Sequence, residues 1–200
     1  FLGPFSWTFN RLVKSSIHGP VLEFDHGTYA LRISSLEDLR FIEQWYRMGK
    51  ARNFTEFKEA MKIHAIPMFN TGYADRDGKI YYVYNAKIPN RNSKYNWNKI
   101  LAGESKLNLW HDYIPFENLP HVYDPLEGFF QNCNSTPYLA TGNRVDSSKP
   151  LPDWTGIEVH QTNRALRALE TFGVDPSITR EEFFTYKYDI EYSRESIFAN

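Results

Sequence analysis

The sequence predicts an α+β chain built on antiparallel hairpins, and three observations carry that prediction. Two pairs of runs rich in β-branched and aromatic residues are each joined by a short turn-forming segment, Asp25-His26-Gly27 and Asp75-Arg76-Asp77-Gly78. Strands joined so tightly pair antiparallel. Three segments carry helix-start signals, Ser34 with Glu37 three residues later, Asn53 just before Phe54 and Phe57, and Thr179 with Glu182 three residues later; there a side-chain oxygen can take up the free N–H groups of a first helical turn. The chain of 200 residues, 42% hydrophobic and 24% charged, is long enough to bury a real core.

In chain order, residues 14–24 and 28–33 read as the first hairpin. Ser34 and Glu37 have capping-box spacing, and Leu36, Leu39, Ile42, Glu43 and Tyr46 follow at helical spacing, which predicts a helix over 36–48. Asn53 caps a second helix with apolar positions Phe54, Phe57, Ala60, Met61 and His64, ending before the breaker Pro67. Residues 70–74 and 79–84 form the second hairpin, whose Tyr81, Tyr82 and Tyr84 fall on both faces of a strand. That alternation suits a two-sided core better than one exposed aromatic platform.

The stretch 89–125 has Asn, Pro and aromatic residues but little periodicity. It is expected to be a functional loop, or one that wraps a surface lying outside these residues. A short apolar run at 128–130, read as a strand, leads into Gln131-Asn132-Cys133-Asn134-Ser135-Thr136-Pro137, and 141–154 is a polar, Pro-rich connection. Helices are predicted over 156–172 and 179–188, the second opened by the Thr179 and Glu182 capping box.

Composition narrows the partners. A net charge of -1 and a pI near 6.7 give no attraction to phosphate backbones or anionic lipid surfaces, so neither nucleic acid nor membrane is expected to bind. No apolar run approaches the roughly 20 residues that a bilayer span needs. The single cysteine, Cys133, excludes an internal disulfide. The start, Phe1 to Phe5, has no initiator Met and reads as the interior of a longer or processed polypeptide.

A search for chemistry finds no self-contained active site. His18, His26, His64, His111, His121 and His160 never stand at i and i+4 on one helix, and Cys133 has no Cys/His companions, so no metal site is expected. Gly72 and Gly78 do not form a phosphate loop, and Asp75-Arg76-Asp77-Gly78 lacks the downstream Glu of a calcium loop. Asn134, in a small-polar loop ended by Pro137, could donate its amide to a developing oxyanion. On chemistry alone, a local turn hydrogen bond is the favoured reading of such an Asn.

Several segments, in order, resemble the β-subunit of the penicillin acylase family. Ser16-Ile17-His18-Gly19-Pro20-Val21-Leu22 is similar to its HGPV strand, and Tyr73-Ala74-Asp75-Arg76-Asp77-Gly78-Lys79-Ile80 to its YAD-x-x-G-x-I hairpin. Leu119-Pro120-His121-Val122-Tyr123-Asp124-Pro125-Leu126-Glu127-Gly128 resembles LP-x-x-x-NP-x-x-G, with Asp124 in place of the usual Asn. Asn132-Cys133-Asn134-Ser135-Thr136-Pro137 resembles the family's short Asn motif, and Thr162-Asn163-Arg164-Ala165-Leu166-Arg167-Ala168-Leu169 its Arg-containing helix start.

The resemblance implies an N-terminal nucleophile hydrolase fold, an αββα sandwich of antiparallel sheets, of which residues 1–200 would be an internal β-subunit segment: hairpins and helices at 14–88, a wrapping loop at 89–127, the Asn motif at 128–137 and a helical part at 156–188. It implies an amidase that splits an acyl group from an amine, as on a β-lactam antibiotic or an N-acyl-homoserine lactone. The acyl-enzyme forms on an N-terminal Ser, Cys or Thr whose own α-amino group is the base. Phe1 cannot serve, so the nucleophile is expected outside this chain, together with the α-subunit and the first part of the β-subunit as partners, and the chain alone is expected to be inactive. Matched residue by residue, Asn134 takes the role of oxyanion donor and Arg164 that of a fixed charge orienting the site, while His18, Gly19 and Pro20 are structural. No cofactor is implied, although some members hold a structural calcium whose ligands are not located in this sequence. A periplasmic or secreted location and autoproteolytic processing are implied too. The rivals are an acylase fold that has lost catalysis and an aromatic binding module for carbohydrate or peptide.

Overall fold

The computed structural model describes residues 8–36, 38–142 and 150–198. The expected chain start at 1–5, Glu37 of the expected capping box and residues 143–149 of the 141–154 connection lie outside them. Two three-stranded antiparallel sheets, each in simple chain order, and four helices make up the described chain.

The first sheet contains β1 (Lys14–Ser16), β2 (Gly19–Phe24) and β3 (Gly27–Ala30). The single strand expected over 14–24 is thus two strands. The chain reverses at Ile17-His18, because the Ser16 hydroxyl accepts the His18 N–H at 3.1 Å and Gly19 sits at φ 121. A Cβ at Gly19 would lie 2.0 Å from the Leu31 carbonyl oxygen, so only glycine fits. His18 Nε2 hydrogen-bonds the Gly103 carbonyl at 2.8 Å, and Pro20, which has no N–H to give, accepts from Leu31 N at 2.9 Å. His18, Gly19 and Pro20 therefore shape this sheet and tie it to the 97–113 stretch.

Helix α1 (Arg40–Lys50) begins four residues later than predicted and has no side-chain N-cap. Ser35, at φ 62, turns the chain, and Asp38 holds it out of the helix: its carboxylate accepts from Arg40 N at 3.3 Å and pairs with Lys87 at 2.7 Å. The Arg40 guanidinium, with Lys87, keeps the Asp38 carboxyl well below the usual carboxylate range against the opposing effect of burial. The residue that α1 buries is Gln44, whose Oε1 accepts the N–H groups of Ala65 and Ile66 at 2.8 and 3.0 Å. Its apolar Leu39, Ile42 and Tyr46 face outward. Helix α2 (Phe54–Met61) starts as predicted, with Asn53 accepting from Glu56 N at 2.9 Å.

The second sheet holds the core. Strands β4 (Met68–Ala74) and β5 (Ile80–Ala86) join through the Asp75 turn, where Asp75 Oδ1 accepts the N–H groups of Asp77 and Lys79 and Gly78 adopts φ 84. Tyr81, Tyr82 and Tyr84 are 3%, 1% and 5% exposed, so β5 is buried on both faces. Phe57 and Met61 of α2 pack with Tyr81 and Val83; on the other face Tyr82 packs with Val122, Ala140, Phe130 and Tyr138.

The third strand, β6 (His121–Tyr123), arises inside the expected loop. The ladder is prolonged by Tyr84 N to the Pro120 carbonyl and Asp124 N to the Ile80 carbonyl. Asp124 stands at φ 40, a conformation that Asn and Asp tolerate. The acid adds what an Asn could not, an ion pair with Lys79 at 2.6 Å, while also accepting Ile80 N at 3.0 Å. The loop does not merely wrap an outside surface, since its Trp110, Phe116 and Leu119 are buried within this chain.

Two further expectations are corrected. Residues 128–130 form no strand: Gly128, at φ 71, closes a turn onto the Pro125 carbonyl. Helix α3 is confined to Asn163–Glu170, because the chain before it is extended and the His160 carbonyl accepts Thr136 N at 3.0 Å. Helix α4 (Arg180–Lys187) opens with the predicted Thr179 and Glu182 capping box.

Candidate functional site

Asn134 and Arg164, 30 positions apart in sequence, meet where the loop after Phe130 touches the start of α3. Each side of this junction has its own anchor. Phe130 lies over Gly72 of β4, where a Cβ would come within 2.9 Å of its ring, and beside Tyr82 with ring centroids 5.6 Å apart. A side chain at 72 would lift the loop from the sheet. On the other side, Thr162 caps α3 by accepting Ala165 N at 3.3 Å and uses its hydroxyl proton to bond the Cys133 carbonyl at 3.2 Å.

Arg164, on the first turn of α3, donates Nη2 to the Cys133 carbonyl at 3.0 Å and to Asn134 Oδ1 at 2.9 Å. A guanidinium carries donors only, so the amide oxygen of Asn134 must face it. The amide N–H groups are then turned away from Arg164, and they have no partner among the described residues. Asn134 is exposed, and its backbone stands at φ 55, a left-handed conformation that costs most residues roughly 1 kcal/mol but that Asn visits readily. Its own N–H is satisfied by Asn132 Oδ1 at 3.1 Å. The local turn and the outward amide therefore coexist: the backbone makes the turn and the side chain stays available.

The arrangement can present a polarised N–H donor to a negatively charged oxygen, with a fixed positive charge behind it. The Cys133 thiol is pushed up by burial, against the lowering effect of the Arg164 charge, which disfavours its thiolate. A cavity of about 470 Å³ opens beside the junction, lined in part by Cys133, Arg164, Phe172 and Tyr192. A larger apolar groove of about 800 Å³ lies apart from it, between the first sheet and Trp97 to Gly103.

Among the described residues, no three or more His, Cys, Asp or Glu side chains gather to hold a metal ion, and the acids near the second hairpin are committed, Asp75 to its own turn and to Tyr73, Asp124 to Lys79. No helix of the described residues is long and apolar enough to cross a membrane.

A family model for penicillin amidase matches residues 8–197. The chain belongs to the penicillin amidase family. Penicillin G acylase of Escherichia coli is 30% identical over 129 residues, 62% of this chain and 15% of that protein. An acyl-homoserine lactone acylase, PvdQ of Pseudomonas savastanoi pv. phaseolicola, is 34% identical over 88 residues, 40% of this chain and 11% of that protein. The solved structure of a thermostable penicillin G acylase from Alcaligenes faecalis superposes with a TM-score of 0.67 at 23% identity, covering 87% of this chain and 30% of that one. This penicillin amidase chain therefore has the antiparallel α+β fold of the N-terminal nucleophile hydrolases, and its sheets are not closed into a barrel. It spans only 11% to 15% of the length of these two curated relatives.

Asn132, within the Asn motif, and Thr162, at the helix start, also belong to the junction, although the family resemblance assigns neither a task. Both carried a readable signal: an Asn two residues before another Asn invites an Asx turn, and a Thr just ahead of a helical run invites a cap. Tyr82, which reaches Asn132 across 50 positions, carried none.

Proposed function

We propose that this chain supplies the oxyanion-binding part of an amide hydrolase active site. The observation that supports it is the 2.9 Å bond from Arg164 to Asn134 Oδ1, which aims the amide N–H groups outward next to a fixed positive charge. The reaction is cleavage of the amide between an acyl group and an amine. A Ser, Cys or Thr nucleophile, contributed from outside these residues, adds to the acyl carbon, and the carbonyl π electrons move to oxygen. Asn134 Nδ2 donates to that oxyanion. The nucleophile's proton passes to its own α-amino group; the electrons return as the C–N bond breaks, the amine leaves with that proton, and water later releases the acid from the acyl-enzyme. Arg164 withdraws charge from the Asn134 amide oxygen and so strengthens its N–H as a donor. The amides named by the relatives, a penicillin side chain and an N-acyl-homoserine lactone, both offer the carbonyl on which such a donor acts.

The test is Asn134→Ala in the intact amidase, with phenylacetyl and acyl-homoserine-lactone amides as substrates. Loss of one oxyanion donor is expected to lower kcat by about 10² to 10³. Asn134→Gly, which adopts φ 55 without strain, controls for backbone effects and should fall equally. A kcat within about threefold of wild type would make Asn134 a turn residue only. Absence of turnover by the intact wild-type protein would place it instead with acylase folds that have lost catalysis.

A further inference from the structure

Asn134 is held from the sheet side by a line of hydrogen bonds that the proposed function does not itself require. Tyr82, in the middle of β5, is almost fully buried, and its hydroxyl is the only polar atom of its side chain. That hydroxyl donates to Asn70 Oδ1 at 3.1 Å and accepts from Asn132 Nδ2 at 3.0 Å. A phenol has one proton, so with Asn70 accepting it, Asn132 must be the donor. The amide of Asn132 is thereby oriented, and its oxygen faces the other way, where it accepts the Asn134 N–H at 3.1 Å. Burial pushes the Tyr82 hydroxyl well above its ordinary value, which keeps the proton in place.

From the opposite side, Thr162 and Arg164 hold the Cys133 carbonyl. The peptide between Cys133 and Asn134 is therefore fixed by α3 through its carbonyl and by the second sheet through its N–H. Removing either hold lets Asn134 leave its left-handed conformation, and its amide then loses the oxyanion, since catalytic donors must be placed to within roughly 0.5 Å.

We infer that Tyr82 and Asn132 are positioning residues that orient Asn134 for catalysis, an inference resting on the reading of Asn134 as oxyanion donor. Neither touches the reacting atoms. Both act through the Asn134 backbone.

The experiment is a mutant cycle in the intact amidase. Asn132 is exposed, so Asn132→Ala spares the core; Tyr82→Phe keeps the ring in place. Each is expected to lower kcat by about 10-fold, with KM within about twofold, the signature of a misplaced transition-state contact. Asn132→Asp keeps an acceptor for the Asn134 N–H but gives up the donor to the Tyr82 hydroxyl, so its kcat is expected to fall about as far as that of Tyr82→Phe. In an Asn134→Ala background, Asn132→Ala and Tyr82→Phe should have no further effect on kcat, because residues that act as one unit are not additive. Equal losses in both backgrounds, or no loss in either, would overturn the positioning role while leaving Asn134 as donor. An unchanged kcat for Asn134→Ala alone would overturn both readings. If Tyr82→Phe fails to fold, the Asn132 pair decides.

Discussion

The two sheets share one plan, three antiparallel strands in chain order, yet their surroundings differ. In the second sheet β5 is buried on both faces, by α2 on one side and by Phe130, Tyr138 and Ala140 on the other. In the first, Leu22 and Phe24 of β2 remain 40% and 53% exposed, and Leu12 and Val13 just before β1 are more open still. Pairing and covering are thus separate problems. Pairing is written locally, in Asp25-His26-Gly27 and in the Asp75 turn; covering depends on what distant chain brings to each face. Burial at about 25 cal/mol per Å² is what makes an apolar side chain stabilising, so the covered sheet carries the stability of the described chain, and it also carries the Asn134 loop.

The largest expected effect belongs to the covered sheet. Met61 is fully buried under β5, and Met61→Ala should cost roughly 2–5 kcal/mol in urea unfolding; a loss below about 1 kcal/mol would mean that this core is not the stabilising one. Leu22→Ala sharpens the contrast. In the 200-residue chain it should cost under about 1 kcal/mol; if, as we propose, the chain works as part of a longer protein that covers the first sheet, the cost there should rise to about 2–3 kcal/mol. Equal, small costs in both would make the first sheet a free surface in the longer protein as well.

The smallest effect is a pH dependence located on the second sheet. His64 Nε2 bonds the Ala86 carbonyl at the end of β5 at 2.9 Å, and burial holds its imidazole below the ordinary value of 6.5. The unfolded chain then takes up a proton before the folded one does. Stability from this source is full above pH 6.5 and is lost as pH falls from there toward the depressed value. Thermal melts between about pH 7.5 and about pH 5 should show a decline that is shallower in His64→Asn, a residue that tolerates the same φ of 52. Parallel declines would remove His64 as the cause.

What could be read in advance follows the same division. The Asp75 hairpin, the Asn53 cap and the Thr179 and Glu182 box were legible because donor and acceptor lie within four positions. Strand β6 was not: three residues show no period, and its partner β5 lies some 40 positions back. The start of α1 was misplaced because Asp38 answers to Lys87, 49 positions away. The meeting of Asn134 with Arg164 became legible only through the family resemblance, since nothing in either local segment points across 30 residues.

One detail of that junction bears on how such sequences diverge. Thr162 and Arg164 grip position 133 by its main-chain carbonyl, an atom that every amino acid possesses, and ask nothing of the Cys133 thiol. The contact is therefore indifferent to the identity of residue 133, whereas the side chains at 132 and 134 each take part in it. Replacing Cys133 with another side chain should therefore leave both bonds to the carbonyl in place and change only the wall of the adjoining cavity.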